Sequence, residues 1–150
     1  MEPDFIKDCP ADVQRIYRYW DSKRRGRAMP ARADIEAGEI KDLLPGLMIV
    51  EVMADERRYV YRLVGTREVA VRGRDPTGQS VMDKFFGQSQ ELTLNNYDTV
   101  VRTKAPWRDA TRVASADDRY IDDDTIFLPL SGDGETVNRI LVYTHQIRQN

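Results

Sequence analysis

The chain has 150 residues, 41% hydrophobic and 32% charged, and its 23 basic and 25 acidic residues leave a formal charge of −2. This is the size of one soluble domain, able to bury roughly 70% of its unfolded surface without disulfides or a structural metal. The charge balance offers no bulk attraction for nucleic acid or an anionic membrane. The single cysteine, Cys9, cannot form an internal bridge, which points to a reducing compartment. No apolar run approaches the ~20 residues of a membrane-spanning helix. Met1 to Pro10 carries acidic residues where a signal peptide would be basic and then apolar, so a cytoplasmic location is expected.

In chain order, residues 12–23 place Val13, Ile16, Tyr17 and Trp20 on one helical stripe. Asp8 or Asp12 can cap the start, Lys23, Arg24 and Arg25 suit the negative end of the dipole, and Gly26 is a natural stop. The basic run KRRGR is therefore read as a helix end rather than a nucleic-acid patch. Met29-Pro30 breaks the chain, and Asp34 precedes Ile35, Ile40, Leu43 and Leu44 in a short capped helix or turn ending at Pro45-Gly46. Leu47 to Met53 and Tyr59 to Val64 read as two strands of a hairpin, with Tyr61 and Leu63 on one face. Gly65 ends the hairpin. Thr66 to Arg72 follows as a short helix stopped at Gly73, and residues 73–78 are turn.

Val81, Phe85 and Phe86 suggest another brief helix, and residues 89–104 a long one with Leu94, Tyr97 and Val101 on one face. Beyond Ala105-Pro106 come three strands, Trp107 to Val113, Thr125 to Leu130 and Val137 to Ile147, the last two joined by Gly132-Asp133-Gly134. Strands grouped on either side of a helical insert argue for an α+β fold with an antiparallel sheet, because a parallel one would need alternating β and α units. No repeat, low-complexity tract or linker divides the chain.

One cysteine and one histidine, Cys9 and His145, lie at opposite ends of the sequence, which argues against a soft-ligand metal site. His145 falls in the alternating pattern of the last strand, where an ordinary hydrogen-bonded histidine is the simpler reading than a catalytic base. The stretch Gly65 to Gly78 has neither of the glycine spacings of phosphate-binding loops. Asp122-Asp123-Asp124 does not fit a calcium loop and is expected to be a solvated turn leading into the strand at Thr125.

The segments RYW (Arg18 to Trp20), MPARADI (Met29 to Ile35), LLPGLMIVEV (Leu43 to Val52), YRLVGT (Tyr61 to Thr66), GRDPTGQSVMD (Gly73 to Asp83) and LPLSGDGETVNRIL (Leu128 to Leu141) together resemble the bacterial single-domain PAS family. The resemblance runs from Arg15 to Ile147, and its specificity lies in the combination of YRLVGT, the G-x-D-x-T-G turn and LPLSxDG. It implies a PAS-like five-stranded antiparallel sheet with a helical insert between strands 2 and 3, preceded by the amphipathic helix. On this division residues 1–26 form the N-terminal helix and 27–150 the PAS-like part of a single domain.

Such domains enclose a small cavity between sheet and insert. The pocket candidates carried over are Tyr61, Leu63, Phe85, Phe86, Tyr97, Val101 and Trp107, with Arg62 or Arg108 able to meet an anionic ligand if either points inward. Strand parity decides which do, and ordinary core packing is the competing account of each aromatic. The flavin branch's reactive cysteine, the haem branch's histidine and the photoactive yellow type's cysteine all belong to the insert, whereas Cys9 precedes the first helix and no histidine lies between Met1 and Thr144. There is thus no signature for haem, covalent flavin or metal, and any small molecule would be held without a covalent bond.

The stripe Val13, Ile16, Tyr17 and Trp20 is a candidate interface, either with the domain's own sheet or with a second copy in a homodimer. The resemblance implies a non-enzymatic sensory or regulatory module in signal transduction that binds a small ligand, a protein partner or both. Two alternatives stand beside it. One is an adaptor whose core fills its own cavity. The other is a small lyase or isomerase using Asp83 or Asp109 with Tyr97, which would need a buried carboxylate beside a roomy cavity.

Overall fold

The computed structural model describes residues 2–114, 116–117 and 120–148. The first helix, α1, spans Ala11–Arg24 and begins at Pro10, whose extended backbone leads into it without a side-chain cap. Asp12 instead sits in the first turn, where one carboxylate oxygen accepts from the Val13 N–H at 3.0 Å and suits the positive end of the helix. The helix ends because Arg25 (φ 51°) and Gly26 (φ 84°) are successive left-handed residues, a conformation with no steric penalty at the glycine.

The hairpin is β1 (Leu47–Val52) and β2 (Tyr59–Val64), followed by a short helix α2 (Thr66–Arg72) and a longer helix α3 (Gln90–Thr103). Strands β3 (Trp107–Ala114), β4 (Tyr120–Leu130) and β5 (Arg139–Arg148) complete one antiparallel sheet in the order β2-β1-β5-β4-β3. The architecture is therefore the α+β one expected, with the insert between the second and third strands. Helix α1 packs on the outer face of β4 and β5, while α3 packs against β3 and β4. Buried residues of α1 and of the sheet belong to one hydrophobic core.

The junction between β2 and α2 explains the YRLVGT segment. Gly65 receives the chain within touching distance of the 3-10 turn Leu44–Gly46, and a Cβ there would overlap the carbonyl oxygens of Leu44 and Pro45. Its N–H donates to Leu47 O at 2.8 Å and its carbonyl accepts from Val69 N at 3.0 Å, so one residue closes the strand and opens the helix. At α2's other end Gly73 takes φ 78°.

Three local expectations are corrected. The stretch from Asp34 to Gly46 contains 3-10 turns at Arg32–Asp34, Ala37–Glu39 and Leu44–Gly46 rather than one short helix. Val81 to Phe86 forms no helix, because Val81 N–H bonds to Tyr59 O at 2.9 Å and Ser80 bridges to Val60, drawing the segment alongside β2. Most consequentially, β4 starts at Tyr120, so Asp122, Asp123 and Asp124 are mid-strand residues, paired with Arg112, Thr111 and Ala110 of β3. The strand tolerates three adjacent aspartates because alternation splits them between faces. On the outer face Arg108 clasps Asp124 with two bonds of 2.9 and 2.6 Å, and Arg112 meets Asp122 at 2.8 Å.

All four side chains of the α1 stripe are buried against the chain's own sheet, none more than 2% exposed. Trp20 donates its indole N–H to Pro129 O at 2.8 Å, contacts Tyr17 at a ring distance of 5.9 Å, and is covered by the Arg24 guanidinium. Replacing Trp20 by Ala removes a fully buried aromatic and leaves a carbonyl without its donor. The expected cost is about 3 kcal/mol or more, read as a lower midpoint in urea unfolding with no change in the mass of the native species.

Candidate functional site

The inner face of the sheet and the two insert helices border a half-open cavity of about 70 Å³. Period-2 alternation brings Asp123, Thr125 and Phe127 of β4, Asp109 and Thr111 of β3, and Val142 and Thr144 of β5 to it. Helix α2 supplies Glu68 and Arg72 one turn apart, and α3 supplies Thr93, Asn96 and Tyr97. Met48 and Tyr61 close it from β1 and β2, with Phe86 and Gln88 from the connecting loop. The walls are thus partly aromatic and strongly polar.

Most of the polar groups are interlocked. Arg72 Nη1 donates to Glu68 Oε1 at 3.1 Å, with both side chains at least nine-tenths buried, and Gln146 donates to Glu68 Oε2 at 2.9 Å. The Arg72 guanidinium lies 5.1 Å from the Phe86 ring centroid and 5.7 Å from that of Tyr61, so aromatic faces replace part of its lost hydration. Asp109 Oδ2 accepts from Gln88 at 2.8 Å and from Asn96 at 2.9 Å, and Asn96 Oδ1 in turn accepts the Trp107 indole N–H at 2.9 Å. Thr125 and Thr144 pair their hydroxyls at 2.9 Å.

The exceptions are concentrated here. Among the described residues, the buried side-chain polar atoms without a partner are Arg67 Nε, Arg72 Nε, Thr93 Oγ1 and Asp123 Oδ1, and all but the first belong to cavity-lining residues. Folded proteins leave few such atoms. Burial and then the nearby Glu68 carboxylate push Asp123 up to about 7, with Arg72 and Arg67 opposing and Asp109 adding to the rise. Burial likewise raises Glu68, against the pull of Arg72 and Arg67.

The residues expected at the pocket separate into groups. Tyr61, Phe86 and Tyr97 line the cavity. Leu63 does not: β2 carries a bulge in which Arg62 is the extra residue, since Val50 pairs with Tyr61 and the adjacent Ile49 with Leu63. The bulge reverses parity. Leu63 consequently faces a small hollow on the other side of the sheet with Ile35, Ile40 and Ile49. Arg62 points outward to Glu51 at 2.7 Å, and Arg108 is committed to Asp124 on the outer face. Val101 packs at the edge of the core, Phe85 is half-buried in the loop before α3, and Trp107 is 37% exposed, touching the cavity network only through Asn96.

Sequence reasoning passed over Glu68, Arg72, Asn96 and Asp123. The signal for Asp123 was present in the alternation of Arg108, Ala110 and Arg112 opposite the aspartate run. For Glu68 and Arg72 the i,i+4 spacing looks the same on an exposed helix.

On the other side of the sheet, Asp12 ties α1 to β5. Its Oδ2 accepts from Tyr143 OH at 2.7 Å and lies 2.9 Å from His145 Nδ1. Burial acts to raise this carboxyl, yet the bonds from Tyr143 and His145 outweigh it and hold Asp12 below its ordinary value. An open hollow of about 470 Å³ flanks this joint, lined among others by Pro10, Ala110, Arg112 and His145, but its acidic side chains Asp122 and Asp124 already have arginine partners. Cys9 is buried on this outer side, where its thiol contacts Phe5 O at 3.4 Å.

With this geometry the chain belongs to the PAS domain family, whose model matches residues 10–144. It is a module of the sensory and regulatory kind that the family comprises. No curated protein matches the sequence. Solved structures share the fold: a LOV protein from Rhodobacter sphaeroides is 11% identical over 75% of this chain and 69% of its own, with a TM-score of 0.54. A LOV domain from a blue-light activated histidine kinase of Erythrobacter litoralis is 12% identical over 69% and 95%, TM-score 0.53. A sensory box sensor histidine kinase from Vibrio cholerae is 17% identical over 75% and 90%, TM-score 0.55. Among the described residues no group of His, Cys, Asp and Glu is placed to hold a metal ion, and no helix is long and apolar enough to cross a membrane.

The raised Asp123 has a definite consequence for stability. The folded state keeps this proton up to about pH 7, whereas the unfolded chain releases it near ~3.9, so its ionisation costs stability as pH rises between those values. Asp123→Asn is expected to raise stability at pH 8 by on the order of 2 kcal/mol and to leave it little changed at pH 4, measured as urea midpoints at both pH values.

Proposed function

We propose that this protein is a non-enzymatic regulatory PAS module whose input is a small polar molecule held non-covalently in the inner cavity. The observation that carries this is that three residues lining one cavity, Arg72, Thr93 and Asp123, each keep a buried polar atom without a partner. A core that filled itself for packing alone would place apolar groups there, since buried polar atoms without partners are costly. A bound molecule with both donors and acceptors offsets that cost, and its arrival or departure changes the stability of the surrounding helices by mass action.

One observation favours a second reading. Asp109 and Tyr97 line the same cavity, the pairing required for a small lyase or isomerase. A general base needs one oxygen within reach of the substrate proton, and of the two on Asp109 Oδ2 is already held by two amide donors, which leaves Oδ1 for that role.

The deciding experiment is native mass spectrometry of the purified protein, with mass analysis of a denatured extract. The expected result is a stoichiometric small-molecule adduct that Thr93→Met, which fills the cavity from α3, abolishes without lowering the melting temperature by more than a few degrees. A clean ligand-free peak turns the reading toward the adaptor, and chemical conversion of the adduct on incubation would select the enzyme.

A further inference from the structure

We propose that the cavity takes a small organic cation, a protonated amine or amidine with an oxygen acceptor a few atoms away, whose positive group pairs with Asp123 and whose oxygen receives Arg72 Nε–H. This rests on the reading of the cavity as a ligand site. It adds the chemical class.

The argument begins with charge. Three carboxylates, Glu68, Asp109 and Asp123, line the space against one guanidinium, Arg72. Glu68 has a donor on each oxygen, from Arg72 and Gln146. Asp109 has two amide donors on one oxygen. Asp123 is left with a buried Oδ1 that nothing meets. From α2 the groups acting on it are Glu68, Arg67 and Arg72, and from β3 Asp109. Neither arginine is spare: Arg67 donates to the Thr144 carbonyl and stacks on Tyr143 at 5.8 Å, while Arg72 serves Glu68. The cavity residues of α3, Thr93, Asn96 and Tyr97, and Thr144 of β5 carry no charge at neutral pH. The Gln146 amide is spent on Glu68.

An anion would add to this negative excess and meet Asp123 as a like charge. A neutral molecule would leave the carboxylate uncompensated above about pH 7, where Asp123 gives up its proton. A cation supplies the missing counter-ion in a setting of low dielectric where pairing is strong.

The second half of the site is Arg72 Nε. Its side chain is 9% exposed, its Nη1 is used, and two aromatic rings flank the guanidinium, yet Nε–H has no acceptor. An N–H donor selects an oxygen at a set place rather than a diffuse charge. Thr93 Oγ1, also without a partner, is a further donor or acceptor from α3. A cavity of about 70 Å³ holds a few waters or one molecule of several non-hydrogen atoms, which restricts the cation to a small one.

The test uses the full chain and four probes of similar size: ethanolammonium, ethylammonium, ethylene glycol and glycolate. Each is titrated at pH 8 while backbone amide signals are followed by two-dimensional NMR. Ethanolammonium is expected to give saturable shifts centred on Thr93, Asn96, Thr111 and Asp123, with ethylammonium about fivefold weaker for lack of the oxygen. Binding should weaken about tenfold between pH 8 and pH 6 as Asp123 takes up its proton, and Asp123→Asn, still folded by its dispersed spectrum, should lose at least tenfold.

Glycolate or ethylene glycol saturating the same signals as tightly would overturn the cation and leave the ligand site standing. Undiminished ethanolammonium binding in Asp123→Asn would overturn the assignment of its partner. If no probe moves these signals, the cation proposal fails, and a ligand-free native mass spectrum would then remove the ligand site as well.

Discussion

A strand hydrogen-bonded on both edges cannot turn a charged side chain away from the face its position assigns, and that constraint on β4 shapes the rest of this protein. Its neighbours β3 and β5 fix the register of Asp122, Asp123 and Asp124 residue by residue. Two aspartates must face outward and one inward. The outward pair is met by Arg108 and Arg112, presented by the same alternation on β3. The inward one obliges the domain to maintain a polar interior, and the Glu68–Arg72 pair, the Gln88–Asn96–Asp109 cluster and the threonine hydroxyls surround it. Buried ionic groups of this kind are weak contributors to stability.

The parts of this architecture legible in the sequence are those with local causes. The α1 stripe shows at i, i+3, i+4 and i+7 because each position independently needs an apolar side chain against the sheet. The α2 boundaries show because Gly65 and Gly73 answer a close approach and a left-handed turn. The hairpin and the fold class follow from period and order. What stayed hidden has non-local causes. The aspartate run is a turn in isolation and a strand only when β3 and β5 flank it. The bulge at Arg62 leaves no mark on the alternation of Tyr59 to Val64, yet it sends Tyr61 and Leu63 to opposite faces. Candidate pocket residues chosen by counting in twos along β2 therefore held on one side of the bulge only.

The aromatic candidates divide between the cavity and its surroundings. Tyr61, Phe86 and Tyr97 are at the cavity, but there they act as walls: Tyr61 and Phe86 hold the Arg72 guanidinium, and Tyr97 packs on Tyr59 and Phe127 at 5.1 and 5.3 Å. The chemistry resides in charged residues whose sequence contexts, a short helix and an acidic run, are ordinary for solvent-exposed positions.

Strand β5 faces two compartments at once. Thr144 lines the cavity, while its neighbours in sequence, Tyr143 and His145, both reach Asp12 on α1 across the sheet. The partition between the interior and the outer helix is thus one backbone thick at this point. Of three consecutive residues, the middle side chain lines the cavity and the outer two seat the start of α1.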